Sequence, residues 1–220
     1  MSARSPLRGL ARRAASFRRA DSGAAMVEFG LVAVLFFYLF YVALDFGRFA
    51  YSRVLAQKAV DLAVRTAVVR APACAALDKD LTNVRGTVSG GTIPPRFGTS
   101  CSAGANVCAT VATVTCNGVA SNPTANEIWT RIAPLLPPDA TIANLSFSYS
   151  YDVNLGFLGG PYTPMVTVDL ALPDFQFISP LGPFMVHFGA AQADAIGPSV
   201  AYGSFSMSLP AEDLNLGDAG

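Results

Sequence analysis

The hydrophobic positions of this chain are concentrated in one continuous run near the N-terminus. Residues 24–44 read AAMVEFGLVAVLFFYLFYVAL and contain one ionisable side chain, Glu28. As an α-helix this run is about 31 Å long, which matches the hydrocarbon core of a bilayer, about 30 Å thick. A helix in the core of a globular protein rarely runs this long without a polar face. The pattern therefore predicts a transmembrane helix.

The helical pattern continues beyond the apolar run. Residues 45–71 contain no proline and one glycine, and Asp61 and Arg65 have the spacing of an i,i+4 ion pair. Pro72 ends the pattern because proline cannot continue a helix. We expect one helix over residues 24–71, about 70 Å long, whose second half packs on the rest of the chain through a less polar stripe. That stripe comprises Phe46, Ala50, Leu55, Ala59, Leu62, Thr66 and Val69.

After Pro72 the chain is rich in Gly, Pro, Ser and Thr and contains short alternating runs that indicate strands. These runs lie at residues 107–116, 145–151, 165–172 and 200–209. The second and third should form an antiparallel hairpin that turns at Gly159-Gly160-Pro161. Thr124 and Glu127 have capping-box spacing at the start of a short helix. The fold class is therefore α+β, a long N-terminal transmembrane helix that extends out of the membrane and packs on a small antiparallel β-rich domain.

Charge is distributed unevenly along this formally neutral chain. Residues 1–23 contain six arginines and one acid, Asp21, whereas the remainder has nine basic and fourteen acidic residues. The residues after Gly23 therefore have a formal charge of −5. Such a chain is a poor nucleic-acid binder, since phosphate contacts need clustered Lys and Arg. More basic residues precede the apolar run than follow it closely, which predicts a cytoplasmic N-terminus and an exported C-terminal part. We divide the chain into a leader (1–23), the helix (24–71), an exported β-rich domain (72–210) and a loose acidic tail (211–220).

Four cysteines lie on the exported side, where oxidising conditions allow disulfides. Their spacing contains no C-x-x-C pair, so a structural zinc site is not expected. Three connectivities are possible. If residues 107–116 form one strand, Cys108 and Cys116 are about 26 Å apart and cannot bond to each other. We favour Cys101–Cys108 across a short Ser-Gly-rich loop, with Cys74–Cys116 as the second disulfide.

The most informative residues lie where the basic leader meets the apolar run. Glu28 is one turn inside that run, where a deeply placed carboxylate costs about 2–3 kcal/mol or more. The simplest interpretation is that Glu28 lies at the headgroups. However, Gly23 lies directly before the apolar run, and Glu28 is the fifth residue after Gly23. This spacing of glycine and glutamate is typical of prepilin-peptidase substrates.

The stretch from Arg18 to Val32, with Gly23, Ala24, Glu28 and Phe29, resembles the N-terminus of TadE-like proteins. These are pseudopilins of the tight-adherence (Flp) branch of the type IV pilus systems. The resemblance covers about residues 18–50, and Asp45-Phe46-Gly47-Arg48 is similar to the family's exit from the membrane. Val34 departs from the pattern, because the family commonly has a proline in the span.

The resemblance implies a pilin-like fold and a minor pseudopilin that helps to assemble, initiate or cap a pilus for surface adhesion. A prepilin peptidase would cut between Gly23 and Ala24, with Glu28 and Phe29 part of the processing sequence. Glu28 would then pair with the new N-terminal ammonium, on Ala24 of a neighbouring subunit, and set the register between helices. The implied partners are the peptidase, sister pseudopilins or pilins, membrane lipid and an inner-membrane assembly platform. The implied location is the bacterial inner membrane, or a pilus on the cell surface.

The remaining chemistry does not indicate an enzyme, a cofactor or a metal. His187 is the one histidine and lies in an apolar run, which is typical of a core residue. Asp152, Asp169 and Asp174 lack the loop spacing of a calcium site. The alternative function is therefore also non-catalytic: an uncleaved, single-pass envelope protein whose periplasmic domain binds a ligand or a protein.

Overall fold

The computed structural model describes residues 21–87, 94–178, 199–212 and 214. Most of the predicted leader and tail, and His187, lie outside the described residues. The chain forms two compact units, residues 1–47 with 177–198 and residues 48–176 with 199–220. The second unit therefore begins inside the long helix.

The long helix, α1, spans Asp21–Ala67. It begins before and ends after the apolar run, as the sequence pattern predicts, although it stops four residues short of the predicted end. Residues 68–71 form turns in which the backbone N–H of Val69 donates to the carbonyl oxygen of Thr66. Pro72 follows this turn and lacks the N–H group that another helical turn would need. α1 is α-helical through Val34, the position at which the family commonly has a proline.

The second unit contains a four-stranded antiparallel sheet. Its strands are β1 (Val114–Asn117), β2 (Leu145–Ser150), β3 (Met165–Ala171) and β6 (Ser204–Pro210), in the order β1-β2-β3-β6. Two shorter strands, β4 (Phe175–Gln176) and β5 (Ser199–Val200), pair with each other. The predicted pairing of β2 with β3 is confirmed. The predicted strand at 107–116 is wrong in its extent, because β1 starts at Val114 and Cys108 instead forms a bridge with Arg85.

The connection between β2 and β3 is longer than the predicted tight turn. Residues 151–164 leave the sheet and pair with loops from earlier in the chain. The N–H of Asn83 donates to the carbonyl of Gly160, and the N–H of Gly159 donates back to the carbonyl of Asn83, each at 2.8 Å. The N–H of Gly98 donates to the carbonyl of Leu158 at 2.9 Å. These contacts join residues 81–84, 98–101 and 156–162 into an irregular layer.

The apolar core lies between the last turns of α1, a short helix α2 (Pro123–Ile132) and one face of the sheet. Alternate residues of each strand point to this face, so Phe147, Tyr149 and Val168 are buried while the serines between them are not. The predicted stripe on α1 is confirmed at Ala59 and Thr66, which are buried, and wrong at Phe46 and Leu62, which are exposed. Small side chains let the helix backbone approach its neighbours closely, and the buried row is Ala56, Ala59, Val60, Ala63, Val64 and Ala67.

Polar contacts fix the end of α1 to α2. The N-cap of α2 is Asn122, whose side chain accepts from the N–H of Ala125, so the predicted capping box at Thr124 is wrong. Thr124 instead donates to the carbonyl of Ala71 at 2.8 Å. Glu127 accepts from Arg70 at 3.0 Å and from Arg131 at 2.6 Å. The hydrogen bond from Arg70 lowers the pKa of the Glu127 carboxyl and raises the pKa of the Arg70 guanidinium.

Two disulfides cross-link the second unit. Cys74 bonds to Cys116, which ties the segment after α1 to β1, and Cys101 bonds to Cys108 within the loop layer. This is the pairing that the sequence analysis favours. The first bond closes 42 residues and the second closes 7. If a disulfide stabilises by lowering the entropy of the unfolded chain, Cys74–Cys116 contributes about 4 kcal/mol and Cys101–Cys108 contributes about 2.4 kcal/mol.

Two buried tyrosines differ in whether the phenol hydroxyl has a partner. The hydroxyl of Tyr149 accepts from the N–H of Ala73 at 2.9 Å. The hydroxyl of Tyr162 has no hydrogen-bond partner in the part of the chain that the structure describes. Burial, and secondarily the nearby Tyr151, raises the pKa of Tyr162 to about 12.

We expect Tyr149→Phe to lower the free energy of unfolding by about 1–3 kcal/mol, because it leaves the buried N–H of Ala73 without an acceptor. Tyr162→Phe is the matched control and should be neutral or slightly stabilising, since it removes a hydroxyl that makes no hydrogen bond. Thermal unfolding of the detergent-extracted full chain measures both. Equal losses in the two variants would contradict this interpretation of the hydroxyl groups.

Candidate functional site

The candidate site is the start of α1, from Gly23 to Phe29. All of these residues are in helical conformation, and all are exposed. The peptide bond between Gly23 and Ala24 therefore lies in the first turn of α1, which begins at Asp21. Helix ends fray, and glycine lowers the cost of leaving the helix, so this bond is at the most easily unwound part of α1.

Gly23 and Gly30 both face open space. A Cβ atom built on either residue would meet nothing within 4 Å. Neither glycine is therefore required for packing among the described residues. If Gly23 is needed, the need comes from a molecule that approaches this turn from outside.

Glu28 lies one helical turn after Ala24 and on the same face of α1. The rise between the two residues is about 6 Å. Within the described chain, Glu28 makes no hydrogen bond or ion pair. The carboxylate is consequently available to a group outside this chain, and an N-terminus at Ala24 would place an ammonium group at the same end of the helix.

Most of the large apolar side chains after Glu28 are exposed in the part of the chain that the structure describes. Phe29 is 72% exposed, and no residue in the most apolar window of the helix is buried. Phe36, Phe37, Phe40 and Tyr41 contact one another along the surface of the helix. This is the one helix in the described residues that is long and apolar enough to cross a membrane. It fits a single-pass membrane protein.

A second carboxylate lies at the other end of the apolar run. Asp45 is 3% exposed, and its Oδ2 accepts a hydrogen bond from the backbone N–H of Ile178 at 3.0 Å. The rings of Phe46 and Phe177 lie 5.8 Å apart beside it. In the sequence, Asp45 is recognisable only as part of the segment where the helix leaves the membrane. Its burial depends on residues more than 130 positions later in the chain, and no local pattern indicates that contact.

One known protein family is similar in sequence to this helix. The sequence model of the TadE-like protein family matches residues 23–65. This segment is similar to TadE-like proteins. The match confirms the resemblance seen in the junction residues, and it begins at Gly23, ahead of Ala24 and Glu28. No curated protein and no solved structure shows significant similarity to the chain.

The TadE-like segment contains the whole apolar run and most of the buried alanine row of α1. It ends before Arg70, so the ion pairs with α2, the disulfides and the sheet lie beyond the matched residues. The match therefore concerns the helix, and the part of the chain after it is described by its own structure.

The remaining sequence candidates are dispersed. The Asp152 carboxylate accepts hydrogen bonds from Asn154, Asp169 lies on the polar face of β3, and Asp174 precedes β4. All four cysteines are in disulfides. No group of three or more potential metal ligands occurs among the residues with described positions.

Proposed function

We propose that the chain is a minor pseudopilin of a tight-adherence (Flp) pilus. The single observation that carries this proposal is the TadE-like match, which starts at Gly23, directly before the apolar run. The match supports a Tad pilus-associated protein. Assembly, initiation or capping of the filament is the role that such a subunit would have. The exposed apolar surface of the helix supports the same function, because it needs lipid or other helices to cover it.

Processing is the first part of the proposal. A prepilin peptidase would cut after Gly23 on the cytoplasmic side of the inner membrane, remove the six arginines and leave Ala24 as a charged N-terminus. Frayed helix ends are accessible to proteases, and glycine permits close approach of an enzyme to the backbone. The exported part would then lie in the periplasm or on the pilus.

Assembly is the second part. The Glu28 carboxylate would pair with the ammonium of Ala24 on a neighbouring helix. Opposite charges attract strongly in a medium of low dielectric constant, and an unpaired carboxylate there is costly. The pair would therefore favour the one stagger of neighbouring helices that brings both groups together. Partners in this function are sister pseudopilins and an inner-membrane assembly platform.

Gly23→Leu should reduce processing by about tenfold or more, because a branched side chain blocks a site shaped for glycine. Gly30→Leu is the matched control, since both glycines face open space. Immunoblots with a C-terminal tag resolve cut from uncut chains in cells that contain the peptidase. Equal processing of the two variants would contradict cleavage at this glycine.

Glu28→Ala and Glu28→Gln should both abolish co-assembly with sister subunits while leaving most chains cut, because both remove the charge. Glu28→Asp keeps the charge and should restore part of the assembly. Recovery of sister subunits with the tagged chain measures assembly, and the blot above measures cutting. Normal assembly of the alanine and glutamine variants would favour the alternative, an uncleaved envelope protein with a binding domain.

A further inference from the structure

Two exposed phenylalanines stand on the irregular loop layer of the second unit. Phe97 is 77% exposed and Phe157 is 48% exposed. Their loops are paired, because the N–H of Leu158 donates to the carbonyl of Thr99 and Ser100 bridges Phe157. We call Phe97 and Phe157, together with Arg85 and Arg96, the aromatic tip.

The aromatic tip is held in place although it is exposed. The ring of Phe97 lies directly over Gly159, where a Cβ atom would be 2.5 Å from its Cδ1, and the φ of Gly159 is +82°. The guanidinium of Arg85 lies 5.7 Å from the centre of the same ring and donates to the carbonyl of Pro95 at 2.7 Å. The Cys101–Cys108 disulfide closes the loop that follows. A positioned ring loses little conformational freedom on binding, which favours a role in contact with a partner.

The charge of this region indicates what kind of partner fits. Residues 81–126 contain two basic residues, Arg85 and Arg96, and no acidic residue. Asp78 and Asp80 precede this stretch, and Asp152 is the one acidic residue of the second loop, residues 151–164, so each arginine of the tip lies on the first loop. Aromatic side chains flanked by arginine are typical of the centres of protein interfaces. An apolar surface bordered by carboxylates would complement them.

The second unit has such a surface. A groove of about 470 Å³ runs between the start of the second unit in α1, the proline-rich segment after α2 and the start of β4. Its charged borders are Asp139 and Asp174, both exposed, and Arg48, whose guanidinium lies 5.4 Å from the centre of the Phe175 ring. Its apolar lining includes Leu55, Leu135, Leu136, Pro137, Pro138 and Tyr202.

We propose that the aromatic tip of one copy docks in this groove of a second copy. Phe97 enters the apolar groove, and Arg96 faces the carboxylates of Asp139 and Asp174. The two surfaces are different, so the contact is heterologous and joins neighbouring copies head to tail wherever two copies meet. The docking rests on the proposed function in one respect, namely that copies of the chain meet in an assembly.

An anionic lipid surface is the other occupant that phenylalanine and arginine would suit. We favour the second copy because it accounts for the groove and its carboxylates as well as for the tip. The test below gives a different result for each.

Phe97 is replaced by photoreactive benzoyl-phenylalanine in the full chain, in membranes of cells that assemble the pilus. Irradiation should give a dimer of the chain in which residue 97 is joined to residues 134–139, as identified by mass spectrometry. Val119, 49% exposed and outside the tip, is the matched control position and should give little dimer. Crosslinks from position 97 to lipid alone, to other proteins alone, or to no molecule would overturn the proposal.

Charge exchange tests the pairing directly. Arg96→Glu and Asp139→Arg should each lower the dimer yield by about threefold to tenfold, and co-expression of the two variants should restore it. Lys58→Glu, an equivalent reversal at an exposed position of α1, should have no effect. Failure of co-expression to restore the dimer would overturn the pairing. The N-terminus is determined on the same samples, so a chain that starts at Ala24 but gives no dimer contradicts the docking and leaves the pseudopilin proposal intact.

Discussion

The structure depends on one constraint, the absence of cover for the apolar part of α1. From Met26 to Leu44 most of the large side chains are exposed, and none of them is fully buried among the described residues. Water cannot solvate such a surface without a large free-energy cost, so lipid or other helices have to cover it. In that environment Glu28 is the group that most needs a partner. A charged N-terminus at Ala24 would supply one, which is why processing and assembly are linked in this account.

The second unit is stabilised in a different way, by cross-links between segments that are distant in sequence. The disulfide Cys74–Cys116 and the ion pair of Arg70 with Glu127 both join the segment after α1 to later parts of the chain. An aromatic group formed by Phe49, Phe175 and Tyr202 adds a third connection, with ring centres 5.3–5.9 Å apart. Phe97 is positioned by other contacts, with Gly159 and Arg85 and beside the loop that the Cys101–Cys108 disulfide closes, and these are the basis of the proposed docking.

Features that depend on local sequence were predictable. The length of the apolar run sets the helix, and the alternation around Phe147 sets the pairing of β2 with β3. Contacts between distant segments were not. Asn122 caps α2 in place of Thr124 because Thr124 bonds to Ala71, a residue some fifty positions earlier. The alanine row is buried because the sheet selects the side of the helix that allows close approach. In the candidate site, the glycine and glutamate spacing was visible in the sequence, whereas the buried carboxylate of Asp45 was not.

The measurement that tests the central claim most directly is the intact mass of the chain extracted from membranes of its own cells. The account predicts the mass of a chain that begins at Ala24 and has lost four hydrogens to two disulfides. Treatment with a reductant should then add those four hydrogens and leave the N-terminus unchanged. A mass that corresponds to a chain beginning at Met1 or Ser2 would contradict the claim that the start of α1 is a processing site.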